Sequence, residues 1–188
     1  MLPEIETARL RLRMHEPGDV DERFAILGSA DLARYMPASW TPPTRERVAA
    51  NIPRHVQRWR DDGFGEWAVI HLSDGKLIGY CGLQHIEFVK PEIEIFYGFA
   101  RDYWGRGLAT EAARAALRYG FEQLKLAEIV AATHPGNVAS QRVLQKIGLR
   151  RDRDGRFFEP DSVCFTLRRD EYVVPVASPY ALRFREAS

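Results

Sequence analysis

The chain has 188 residues, 45% of them hydrophobic and 28% charged, which is the makeup of an ordinary globular protein with room for one domain core. These figures exclude disordered and collagen-like classes, and 27 basic residues against 26 acidic ones leave no broad positive field for nucleic acid or an anionic membrane. No apolar run approaches the ~20 residues that cross a bilayer, and MLPEIETARL lacks the basic start and apolar stretch of a signal peptide, so a cytoplasmic protein with no nucleic-acid or membrane partner is expected.

RLRLRM (9–14) alternates basic and apolar residues with period two and predicts the first strand. In DVDERFAILG, Asp19 stands as an N-cap with Glu22 three residues on, the spacing of a reciprocal cap, and Gly28 ends the helix. TRERVAANIPRHVQRWRDDG puts Val48, Ile52, Val56 and Trp59 on one helical face. Pro53 removes an amide donor in its middle, which predicts a kink or a restarted helix. GEWAVIHL and KLIGYCGLQHIEF flank SDG and read as a hairpin, and EIEIFYGF continues as a strand.

From Gly107 to Phe121, Leu108, Ala112, Ala116 and Tyr119 form one row beside Ala109, Ala113, Leu117 and Phe121, the pattern of a long buried helix. EIVAATH is then a strand, NVASQRVLQKIG a helix capped by Asn137 and stopped by Gly148, and SVCFTLRRDEY the final strand. The order is mixed α/β (α+β), hairpins first and strand–helix alternation later. We therefore expect a single domain over residues 1–172 and a tail over 173–188. With two prolines and no pattern, the tail reads as loose, the alternative being an arm on a second subunit that makes a homodimer.

Cys81 and Cys164 each lie in an apolar strand-like stretch and read as buried reduced thiols; no metal site is expected. A nucleophilic Cys81 lacks any accompanying signature.

YWGRGLATEA (103–112) raises the most specific question. A helix start leaves backbone N–H groups unpaired beside a partial positive charge, and glycines let an anion come close to them. Trp104, Gly105, Arg106, Gly107, Leu108, Ala109 and Thr110 would form such a cradle, suited to a pyrophosphate, with Arg106 adding a charge. Thr110 stands where a dinucleotide fingerprint has its third glycine, and the Walker pattern is absent. A tight turn feeding a packed helix explains the bare glycine pair equally well.

The flanks decide between these readings. EIEIFYGFARDYWGRGLATEA, then THPGNVASQRVLQKIGLR and CFTLRRDEY, together with ARYMP (33–37) and TARLRLR, resemble the GNAT acyltransferases and within them the RimJ/RimL-like ribosomal-protein N-terminal acetyltransferase branch, over roughly residues 7 to 172. The resemblance implies a mixed, mostly antiparallel central sheet with helices on both faces, splayed between strands 4 and 5. EIEIFYGF would be the fourth strand and EIVAATH the fifth, with acetyl-CoA bound in the opening. Gly98 would allow a kink or the approach of another backbone. Many family members carry Gln or Arg where Trp104 stands, whereas this branch often has an aromatic there.

Acetyl transfer needs an uncharged amine, donors for the oxyanion and a tolerated thiolate. An α-amine is roughly 10–20% neutral at pH 7 and a lysine only a few parts in ten thousand, so a peptide N-terminus needs less help from a base. The resemblance implies Ser140 as hydrogen-bond donor to the leaving thiolate, Asn137 as a pantetheine contact that also caps its helix, and the N–H of Phe96 or Tyr97 as donor to the acetyl oxygen. Glu94 is the first candidate base, acting through water, with Glu92 and Glu66 as rivals; a solvated strand face explains Glu92 and Glu94 equally well. His85 and His134 are weaker catalytic candidates. Tyr35, Met36, Trp40 and Trp67 are either walls of the acceptor site or core.

The leading expectation is an enzyme moving an acetyl group from acetyl-CoA to a primary amine, either a protein N-terminus or a small molecule, by direct attack in a ternary complex. A non-catalytic CoA or acetyl-CoA sensor is the alternative, and a nucleotide-binding protein is third.

Overall fold

A computed structural model of the chain describes residues 1–87, 91–152, 162–174 and 179–185. The first five strands pair in chain order. β1 (Leu2–Glu6), β2 (Leu10–Arg13), β3 (Glu66–His71), β4 (Leu77–Glu87) and β5 (Pro91–Phe99) form an antiparallel run. β5 then meets β6 (Glu128–Thr133) in parallel, and β8 (Val163–Arg168) and β7 (Arg150–Asp152) continue antiparallel beyond β6. With β9 (Ala181–Arg185) outside β1, the order among the described residues is β7-β8-β6-β5-β4-β3-β2-β1-β9.

The sheet is mixed and mostly antiparallel, as expected, and its opening lies between EIEIFYGF and EIVAATH, which pair at Glu94↔Val130 and then part. These are the fifth and sixth strands rather than the fourth and fifth, because Leu2–Glu6 forms a strand that sequence reading missed. Pro3 and Glu4 interrupt its alternation, and its partners lie elsewhere in the chain. One partner corrects the loose-tail expectation. Ala181–Arg185 pairs with β1, Leu182 packs on the core, and Arg185 meets Glu4 at 3.1 Å. Residues 175–178 and 186–188 of that tail lie outside the described residues.

Helices cover both faces. α4 (Leu108–Arg118) packs on β4 and β5 on one face, and α1 (Val20–Leu27) packs on β4 and on α3 (Arg45–Asp62) on the other. α2 (Ala30–Ala33) and α5 (Val138–Lys146) border the opening. Both rows of α4 are buried apart from the partly exposed Ala109, and the last turn widens to a π-turn over Tyr119–Gln123. Among the described residues no helix is long and apolar enough to cross a membrane.

Two local readings change. The reciprocal cap sits one turn earlier, between Glu16 and Asp19 around a 3-10 turn, because the Asp19 carboxylate accepts from Arg13 at 2.7 and 2.8 Å and from the Glu16 amide at 2.7 Å. α3 runs unbroken through Pro53, whose ring lies on the exposed side. Val48 and Ile52 pack with Val20 on one half of the helix and Trp59 is buried on the other, so tertiary contacts hold both halves.

A buried polar network ties the helices to the sheet. Glu66 on β3 lies 2.7 Å from His15 Nε2 and accepts from Arg23 Nη1 of α1, while Arg23 Nη2 lies 3.3 Å from His55 Nε2 of α3. Burial alone would raise the Glu66 carboxyl, but the His15 hydrogen bond and the Arg23 charge outweigh it and hold the group at about 2. With the folded value below the ordinary one, the stabilisation is present above about pH 4.5 and is lost as pH falls towards 2. Glu66→Gln leaves Arg23 buried without its counter-charge and should lower the unfolding free energy at pH 7 by about 3–5 kcal/mol. Urea titrations between pH 7 and 2 should also show a shallower acid limb in this variant than in the parent chain.

Candidate active site

The turn before α4 is built by two glycines in the left-handed region, Gly105 at φ 75° and Gly107 at φ 77°. This conformation is costly for any residue with a Cβ. No side chain caps α4, so its first amides face outward from a helix start with their partial positive charge unclaimed. A Cβ built on Gly105 meets nothing within 4 Å. The turn is therefore open to a ligand on that side.

The turn is braced from behind. Glu111, in the first turn of α4, accepts from Thr7 Oγ1 at 2.7 Å, Arg9 N at 2.9 Å and Arg9 Nε at 2.7 Å, and Arg9 Nη1 donates to the Arg106 carbonyl at 2.9 Å. Trp104 Nε1 donates to the Phe99 carbonyl at 2.7 Å, which pins the indole to the end of β5, and the Arg101 guanidinium sits 4.7 Å from its ring centre. In front of the turn, Tyr103 donates to Asp74 of the β3–β4 hairpin at 2.7 Å.

α5 supplies the facing wall. Asn137 Oδ1 accepts from the Ser140 amide at 3.0 Å, and the Ser140 hydroxyl lies 3.1 Å from the Tyr97 phenol of β5. Between the walls lies a cleft of about 290 Å³. Tyr97, Trp104, Gly105, Gly107, Leu108, Ala109, Thr110, Asn137 and Ser140 line it, together with Tyr35, which follows α2, and Arg142 and Lys146 of α5. Phe96 and Arg106 are not among its walls. Phe96 packs on the opposite face of the sheet with Tyr80, and the exposed Arg106 guanidinium lies 5.2 Å from the centre of the Tyr103 ring.

The glutamates of β5 lie on the opposite face of the strand from Tyr97, and both Glu92 and Glu94 are buried, so a solvated strand face does not describe them. Burial pushes the Glu94 carboxyl up to about 7, against smaller opposing effects of the Gln84 amide, 2.7 Å away, and the Ala132 backbone amide. Glu66 is taken up by its own network. His85 is exposed against Phe64, and His134 is exposed with its Nδ1 accepting from the Gly136 amide at 3.0 Å. Trp67 is fully buried and bonded to the Pro3 carbonyl at 3.0 Å, which makes it core rather than an acceptor wall. Gly98 admits the Tyr80 ring, not another backbone: a Cβ there would meet that ring at 2.5 Å. Burial also pushes the Cys81 thiol up, away from a nucleophile's requirements.

Sequence reasoning missed the Arg9–Glu111 brace and the Tyr97 hydroxyl. The acid in YWGRGLATEA was a signal for the brace; nothing local marked the partner of Tyr97.

The acetyltransferase (GNAT) domain family matches residues 9–150. The uncharacterized protein YkkB of Bacillus subtilis is 38% identical over 152 residues, 78% of this chain and 84% of YkkB. YdaF of the same organism, named provisionally as a ribosomal N-acetyltransferase, is 28% identical over 172 residues, 87% of this chain and 93% of its own length. The crystal structure of a GNAT-family acetyltransferase from Bacillus anthracis superposes with a TM-score of 0.73 at 27% identity, covering 89% of this chain and 99% of that one. The splayed sheet, the glycine turn and these relatives agree, and the chain belongs to the GNAT family of N-acetyltransferases.

Proposed function

We propose that the chain transfers an acetyl group from acetyl-CoA to the α-amino group of a peptide or protein N-terminus by direct attack in a ternary complex. The observation that carries this reading is the opening between β5 and β6, walled by the uncapped start of α4 and by the Tyr97–Ser140 pair, with Glu94 on the other face of β5. Acetyl-CoA, when bound, supplies an activated acyl carbon and a thiolate leaving group. The residues present fit it: two left-handed glycines and uncapped amides suit a diphosphate, and the cleft leads from them to Ser140.

The chain's own groups divide the remaining work. The amides of residues 108–110 and Asn137 orient the cofactor, and the Ser140 hydroxyl donates towards the leaving sulfur. Glu94, through water, takes the proton that the attacking amine loses. A carboxyl near 7 is matched to an α-ammonium of about 7.7–8.0, whereas the side chain of lysine, at about 10.4, lies more than three units above it. YdaF's name associates that relative with a ribosomal acceptor, which supports the same class. A small molecule bearing an amine of similar basicity would meet the same chemistry.

An assay of CoA thiol release should show turnover with a peptide bearing a free N-terminus and little with an Nα-blocked lysine peptide or a polyamine. Acetyl-CoA binding without release by any amine would favour a sensor. Gly107→Val forces a β-branched residue to φ 77° and displaces the first amides, so calorimetry should find acetyl-CoA affinity at least ~10-fold weaker with the circular dichroism spectrum unchanged.

Glu94→Gln should lower kcat by roughly a hundredfold and abolish a rise in rate centred near pH 7. Its stability profile is a separate check. A folded-state value raised from 4.5 to about 7 makes the carboxylate a cost that grows as pH rises through that range. The glutamine variant should therefore melt higher than the parent at pH 8 and equally at pH 4.5.

A further inference from the structure

Among the described residues β5 has no sheet partner on its β6 side beyond Glu94↔Val130, and the Tyr97 side chain reaches across to α5 there. The Tyr97 oxygen lies 3.1 Å from Ser140 Oγ and 3.2 Å from the Ser140 carbonyl oxygen. We propose that Tyr97 is a positioning residue: its phenol donates to Ser140 Oγ and so turns the serine's own hydrogen into the cleft.

One phenol hydrogen is shared between two acceptors, which leaves two arrangements. For both contacts to be hydrogen bonds when it goes to the Ser140 carbonyl, Ser140 Oγ–H must donate back to the phenol oxygen and points away from the cleft. If it goes to Ser140 Oγ, the serine hydrogen is free for a group in the cleft. The Ser140 carbonyl already belongs to the i→i+4 ladder of α5, whereas among the described residues Oγ accepts from no other group, and the Asn137 bond to the Ser140 amide fixes the residue in place. Negative charge on a sulfur in the cleft favours the second arrangement, because only that one presents a donor.

Burial pushes the Tyr97 phenol well up, so it keeps its proton and serves as a permanent donor rather than a proton source. As the carbon–sulfur bond breaks, its electron pair stays on sulfur and is met by the Ser140 hydrogen bond. The proton released by the amine, as its nitrogen bonds to the acyl carbon, leaves on the Glu94 side. A phenylalanine at 97 would keep the packing of this side chain and lose only the oxygen.

The inference rests on the acetyl-transfer reading, and two measurements separate their failures. In steady-state kinetics with acetyl-CoA and an amine acceptor, Tyr97→Phe should lower kcat 5–10-fold with the KM for acetyl-CoA within twofold. The double variant with Ser140→Ala should be no slower than Ser140→Ala alone. Full kcat in Tyr97→Phe, or additive losses in the pair, overturns the proposal.

Calorimetry with CoA and with desulfo-CoA needs no turnover. A thiol titrating near 8.5 becomes a thiolate over pH 7–9.5, so the affinity of CoA relative to desulfo-CoA should rise several-fold across that range in the parent chain and stay flat in Tyr97→Phe. An equal rise in both sinks the proposal even if the parent chain turns over; the predicted difference without CoA release by any acceptor sustains it and sinks the transfer reading instead.

Discussion

The structure depends on one strand being left half-paired. β5 is bonded along its length to β4 but meets β6 only at Glu94↔Val130, so the backbone groups beyond that point need other partners. Side chains supply them. The Trp104 indole donates to the Phe99 carbonyl and the Glu94 carboxyl accepts from the Ala132 amide of β6, while the Tyr97 phenol reaches the first turn of α5. The opening is thus a gap in a ladder held apart by specific bonds. That is why it stays open.

Two further constraints aim the walls of that gap. Glu111 and Arg9 join the glycine turn to the entrance of β2, so the glycines that give the turn its freedom are anchored on one side only. On the other sheet face, Glu66 gathers His15, Arg23 and, through Arg23, His55, fixing α1 and α3 over the strands that carry the glutamates. Both sets pair charge with charge inside or beside the fold. Such pairs add little net stability but penalise any other arrangement of the elements they join.

Much of this was legible in the chain because local pattern and final environment agree. Alternation marked β2 and the faces of β5, the SDG turn marked β3 and β4 as a hairpin, two close rows of small and apolar residues marked α4, and Asn137 with Ser140 three residues on marked the start of α5. The glycine pair became specific only through its flanks. What could not be read was every feature whose partner is distant. β1 and β9 find each other from opposite ends of the sequence, Arg9 reaches Glu111, and Tyr97 reaches Ser140. Trp67 shows the converse limit: an aromatic residue near an expected site belongs to the core because the Pro3 carbonyl, far off in sequence, takes its indole hydrogen. Pro53 misled for a related reason, since long-range packing outweighed a strong local signal.

The pairing of Leu2 with Arg185 gives the outer sheet edge a character of its own. Bringing together segments so far apart in sequence closes a very long loop, and loop-closure entropy makes such contacts late to form and early to open. The two outermost strands should thus behave as the least cooperative unit of the molecule, exchanging amide hydrogens by local fraying while the strands around the cleft exchange only on global unfolding. The machinery of the site is thereby insulated from events at the rim.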